Sequence, residues 1–257
     1  MTSPISSRTF GFLITLPTLG LAVPAAAQSA GDEVDGGVYV SVQAGVTSPS
    51  DEIFTGIQNP DVGSPGAAGA PAEVAVGYNE GFTGAVAIGY QFPSRFLGLF
   101  QPSLEVEYAY GEADVSEGSF NGGDQTFGGN IETNSFTINY QSEIRWSNNQ
   151  VVVPFFGSGI GVTDVESNAT YFPNNGIATA PTFAVTEGGT AFLYQTNAGL
   201  RFELTDTLSL QGRVRYQNVS GLDFERTFVG GGADIFNSEL DGGYETVSFL
   251  GGVRLRF

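Results

Sequence analysis

The 257-residue chain sets 27 acids against nine basic residues, all of them arginine, contains neither histidine nor cysteine, and carries a formal net charge of −18 at pH 7. Without cysteine there are no disulfides, zinc–thiolate sites or thiol catalysis, and without histidine a serine nucleophile or an activated water lacks its usual base. So acidic a chain repels nucleic acid.

The N-terminus has one arginine, Arg8, followed by an apolar run from Phe10 to Val23 and the small residues Ala25, Ala26 and Ala27. The run is too short, and too interrupted by Pro17 and Pro24, to span a bilayer as a helix. It predicts a signal peptide over 1–27 cleaved after Ala27, a short periplasmic segment over 28–36, and one β-barrel domain over 37–257.

Beyond Gly37 the chain alternates at period two. Val38, Val40, Val42, Ala44 and Val46 oppose Tyr39, Ser41, Gln43, Gly45 and Thr47, which predicts a strand apolar on one face and polar on the other. The same rule holds from Phe82 to Phe92, from Ser103 to Tyr110, from Phe136 to Trp146 and from Phe155 to Val162. It returns from Phe192 to Glu203, from Leu208 to Tyr216 and from Val247 to Phe257. Eight strands of about ten residues fit the length and dyad pattern of a transmembrane barrel. The connections alternate long and short, as they do where outer loops are long and periplasmic turns are tight. The reading is therefore all-β: an eight-stranded antiparallel up-and-down barrel with four long outer loops. Phe82, Tyr110, Phe136, Phe192 and Tyr216 at one end, and Phe92, Trp146, Phe202 and Phe257 at the other, would form its two aromatic girdles.

The segments Gly84 to Phe92, Pro154 to Val162 and Phe249 to Phe257 resemble the opacity-protein-like family of small outer-membrane barrels, related to the membrane domain of outer membrane protein A. This resemblance implies the outer membrane of a Gram-negative bacterium as location and membrane lipid as surroundings. It also implies an assembly signal in Phe249, Val253, Leu255 and Phe257, read by the barrel-assembly machinery; Gly251 interrupts the pattern. Some outer-membrane barrels are enzymes, but the lack of histidine argues against their chemistry here.

On this register Glu105, Glu107, Glu143, Arg145, Arg201, Glu203, Arg213, Arg215, Arg254 and Arg256 share the polar face. A charge facing lipid near mid-bilayer costs roughly 2 to 4 kcal/mol, so that face is the lumen. Arginine forks on carboxylates would plug it. The long loops hold most of the acids and, of the bases, only Arg226. Such loops attract divalent cations or basic partners, although Gly230 to Asp234 and Asp241 to Glu245 lack the spacing of an EF-hand. Gly157 to Gly161 continues a strand and so is no nucleotide loop. No cofactor is called for. The expected function is a non-enzymatic surface protein displaying acidic loops for envelope integrity, adhesion or surface interaction. The alternatives are a narrow porin and a soluble, lipocalin-like barrel with its apolar face inward.

Overall fold

The computed structural model describes residues 35–60, 68–147, 149–230 and 236–257. The predicted leader, its expected cleavage point and most of the segment 28–36 lie outside them, as does most of the Gly230 to Asp234 loop.

Among the described residues the chain forms eleven strands and no helix. They are β1 (Gly37–Pro49), β2 (Glu52–Pro60), β3 (Pro71–Tyr78), β4 (Gly81–Gln91), β5 (Phe100–Phe120), β6 (Gly123–Gly128), β7 (Asn130–Ile144), β8 (Val152–Pro173), β9 (Phe183–Glu203), β10 (Leu208–Phe228) and β11 (Phe236–Arg256). All pairings are antiparallel. β1, β4, β5, β7, β8, β9, β10 and β11 hydrogen-bond in that order, and β11 returns to β1. These are the eight strands expected from the sequence, with the expected facing. Val42, Val86, Ile138, Ile160, Val214 and Phe249 are exposed on the outside, whereas Gln43, Glu107, Asn139, Gln195 and Arg215 are buried inside.

The long connections do not remain loops. β5, β8, β9, β10 and β11 run on to 21 or 22 residues each. Where β1 and β4 end, the β2–β3 hairpin takes their place between β11 and β5. Where β7 gives way, β6 bridges β5 and β8. The result is a second closed ring, β11–β2–β3–β5–β6–β8–β9–β10, stacked on the first, so that among the described residues each strand of the outer tier is paired on both sides. At about 3.3 Å per residue and a tilt near 40°, strands this long rise roughly 50 Å, about twice the apolar band of a bilayer.

The exterior changes character between the tiers. On β8, Phe156, Ile160 and Val162 face outward in the lower tier, and Asp164 and Glu166 continue the same exposed face above them. The interior changes in the opposite sense. Above the polar lumen lies an apolar core made by Phe54, Val74, Val76, Val115, Ile131, Val165, Tyr171, Val185, Leu193, Leu222, Phe224 and Leu240, among others. The lower tier is thus built for lipid and the upper one for water.

Glu52 marks the junction. Its carboxylate accepts the backbone N–H of Glu245 at 3.0 Å. Burial pushes its pKa up to about 7; the nearby carboxylates of Glu245 and Asp51 add to the rise, and that backbone N–H opposes it. A folded-state value above the ordinary carboxylate range means that the folded protein holds the extra proton between about pH 4.5 and 7. The resulting stability is complete below that window and is lost as pH rises through about 7. Denaturant unfolding between pH 5 and 8 is expected to show this loss, and Glu52→Gln to flatten it.

Candidate functional site: the barrel interior

The lower lumen is organised in layers. Nearest the end that carries the short turns, the buried Glu143 accepts from three arginines: Arg201, Arg254 at 3.0 Å and Arg145 at 2.8 Å. Arg145 also reaches Glu203, with one contact at 3.3 Å. Arg254 donates to Gln91 at 2.9 Å. Further in, Arg213 bridges Glu107 at 2.7 Å and Glu105 at 3.4 Å, and Arg215 donates to Glu107 at 3.2 Å. Arg256 lies on the same face at the rim, where it donates to the Asp206 carbonyl at 2.8 Å instead of joining either carboxylate cluster. A cavity of about 10 Å³, room for a single water, opens beside it between Glu203, Asp206, Ser209 and Arg254.

Two aromatic side chains couple the layers. The Tyr39 ring lies 3.4 Å beneath the Arg254 guanidinium, and its hydroxyl donates to Glu105 at 3.2 Å. Phe155 stands between Arg201 and Arg213, 5.6 and 5.8 Å from its ring centre. Each ring lies across a glycine on the adjacent strand, Gly89 opposite Tyr39 and Gly199 opposite Phe155. A Cβ at Gly89 would sit 2.3 Å from the Tyr39 ring. Gly89→Ala is therefore expected to displace that ring and cost about 1 to 3 kcal/mol by overpacking. Gly212→Ala, which would meet nothing within 4 Å, is the control in the same denaturant titration.

Gln195 completes the inner cluster, donating to Glu107 and Thr137 at 3.2 Å each and to Asn139 at 2.6 Å, and accepting from Gln217 at 3.1 Å. Above it comes a layer of hydroxyls: Thr47 with Thr246 at 2.5 Å, Ser248 with Thr47 at 3.0 Å, and Ser135 with Thr163 at 3.0 Å. Among the described residues, Gln43 and Asn197 find no partner for either side-chain amide atom. The apolar core of the outer tier then closes the interior.

Five arginines thus face four carboxylates in these two clusters. Charge-assisted bonds of this kind fix both partners in place. The sequence pattern singled out the charged members. It passed over Tyr39, Gln91, Phe155 and Gln195, although their inward parity was legible, because a neutral side chain on a polar face carries no signal of its partner. No group of three or more metal-ligating side chains stands together among the described residues.

Neisserial surface protein A is 11% identical to this chain, with a TM-score of 0.43, and the match covers 87% of this chain and 99% of that one. The outer membrane protein OprG from Pseudomonas aeruginosa is 13% identical, with a TM-score of 0.45 and coverage of 88% and 98%. The outer membrane protease OmpT from Escherichia coli is 7% identical, with a TM-score of 0.52 and coverage of 86% and 97%. At such identity the last likeness is one of fold alone. No curated protein matches the sequence. The outer membrane protein beta-barrel domain family, by contrast, matches residues 13–257. A closed barrel with an apolar exterior band, a polar lumen and this match together establish that the chain belongs to the outer membrane protein beta-barrel domain family, which points to the Gram-negative outer membrane.

Proposed function

We propose that the protein is a non-enzymatic, non-conducting scaffold that holds an acidic outer tier beyond the membrane, contributing to envelope integrity or surface interaction. The carrying observation is that the interior is filled twice over, by ion pairs in the lower tier and by apolar side chains in the upper. An ion crossing the barrel would have to break the first layer and be desolvated in the second. Chemistry has little purchase, since the chain has no histidine and the inner carboxylates are held by arginine.

The outer tier carries Glu73, Asp114, Glu117, Asp164, Glu166, Glu187, Asp223, Glu239 and Asp241 exposed on its outside. That surface would draw divalent cations or basic partners and repel nucleic acid. Assembly would be read from Phe249, Val253, Leu255 and Phe257, which all face outward on or beside β11, the strand that closes the lower ring against β1.

The narrow-porin reading draws on the unpartnered amides of Gln43 and Asn197, which make the lower lumen a place for water. Conductance across a planar bilayer, measured after heat-dependent gel mobility confirms folding, separates the two. The scaffold is expected to be electrically silent. Discrete openings altered by Arg213→Gln or Arg254→Gln would replace it with the porin.

A further inference from the structure

Arg226 is the lone base of the four long connections, and it is buried inside the outer tier. A register shift on β10 between Ser220 and Leu222 puts it there, with Gly221 at φ +76° forming the bulge. Inward residues of β10 are odd-numbered up to Val219 and even-numbered from Leu222 through Phe224 to Arg226. Without that extra residue Arg226 would face water.

Its guanidinium lies 4.1 Å from the centre of the Phe120 ring and 3.9 Å from that of Phe183. Nε donates to the Tyr171 hydroxyl. Phe127 stacks on Tyr171 at 4.7 Å, and Phe228 meets Phe183 edge-on at 5.3 Å. Phe120, Phe127 and Phe183, at or near the far ends of β5, β6 and β9, are only partly buried, so each ring keeps some exposure. Among the described residues no carboxylate pairs with Arg226, whose Nη1 has no hydrogen-bond partner. Ser238, its direct partner on β11, is likewise buried with an unpartnered hydroxyl.

A buried cation with cation–π contacts but no counter-anion among the described residues keeps much of its desolvation cost, and an entering anion would relieve it. The two sides of the cation differ: one is the filled apolar core, the other the partly exposed rings. We propose that Arg226, Ser238 and the surrounding rings form an outward-facing site for small amphiphilic monoanions. The carboxylate would take Nη1 of Arg226 and the Ser238 hydroxyl, and the apolar body would lie against Phe120, Phe127 and Phe183. A fully hydrated anion gains the charge but not the rings, so the site selects aromatic or alkyl carboxylates over inorganic ions.

The test is 19F NMR titration of 4-fluorobenzoate against the full barrel in lipid nanodiscs. Saturable binding is expected, displaced by benzoate but not by benzyl alcohol or inorganic phosphate at equal concentration. Arg226→Gln is expected to weaken it at least tenfold, and Ser238→Ala, which leaves the cation and rings in place, about threefold to tenfold. Absence of saturable binding to the unaltered protein, or unchanged affinity in Ser238→Ala together with Arg226→Gln, would overturn the site. Equal displacement by phosphate would overturn the ligand class. None of these outcomes depends on whether the barrel conducts.

Discussion

Glu143→Gln is expected to destabilise the folded barrel by about 3 to 5 kcal/mol, the usual cost of removing one partner from a buried ionic group. Glu143 is the shared acceptor of Arg145, Arg201 and Arg254, and its side chain is fully buried. Arg145 retains Glu203, but Arg201 loses the carboxylate it pairs with and Arg254 keeps Gln91 and the Tyr39 ring as its partners. Glutamine matches the shape of the lost group, so the change reads charge rather than volume. Glu203→Gln is the comparison: its side chain is 25% exposed and serves one arginine, so about 1 kcal/mol or less is expected. Urea unfolding of the two variants in lipid vesicles checks the order, and equal effects would mean that the Glu143 cluster holds nothing together.

Val253→Arg is expected to hinder membrane folding by roughly 2 to 4 kcal/mol, much more than Ser209→Arg. Val253 faces outward between the outward-facing Val42 and Leu210 on the neighbouring strands, inside the lower tier. Ser209 faces inward near the rim, paired with Glu203 on one side and Arg254 on the other, where a long guanidinium can reach the Glu203 and Asp206 oxygens instead of lipid. Folding yield into vesicles, read by heat-dependent mobility, separates them. Equal loss in both variants would reverse the assignment of lumen and lipid faces.

The lower tier was legible because one rule governs it: a lipid outside and a narrow polar inside force strict alternation of chemistry. Tyr39 and Val40, or Glu107 and Tyr108, differ in kind as well as in facing. The outer tier was hidden by the exchange of those kinds. On β8 the apolar residues are even-numbered at Phe156, Ile160 and Val162 but odd-numbered at Val165, Ala169 and Tyr171, with Asp164 and Glu166 between. Read with the lower rule, that stretch loses its pattern and looks like loop. Read as a strand leaving the membrane, with its inward face unchanged and its solvent exchanged, it is continuous. The bulge at Gly221 hides the continuity of β10 in the same way, since it shifts the inward parity just before Arg226. The ion-pair geometry of the lumen lay further from reach, because Arg213 meets Glu107 over 106 positions of sequence and only barrel closure brings them together.

Because the chain contains no cysteine, single cysteines carrying a nitroxide report on one position at a time. The measurement that tests the two-tier barrel most directly is spin-label accessibility along β8, from position 156 to 171, in lipid vesicles. Labels at Phe156, Ile160 and Val162 are expected to meet oxygen in the lipid, and those at Asp164, Glu166 and Asn168 a water-soluble nickel complex. Labels at Val165 and Ala169 should meet neither. Free access of the nickel complex to Val165 and Ala169 would mean that the outer segments are solvated loops, and the sealed upper tier would be lost with them.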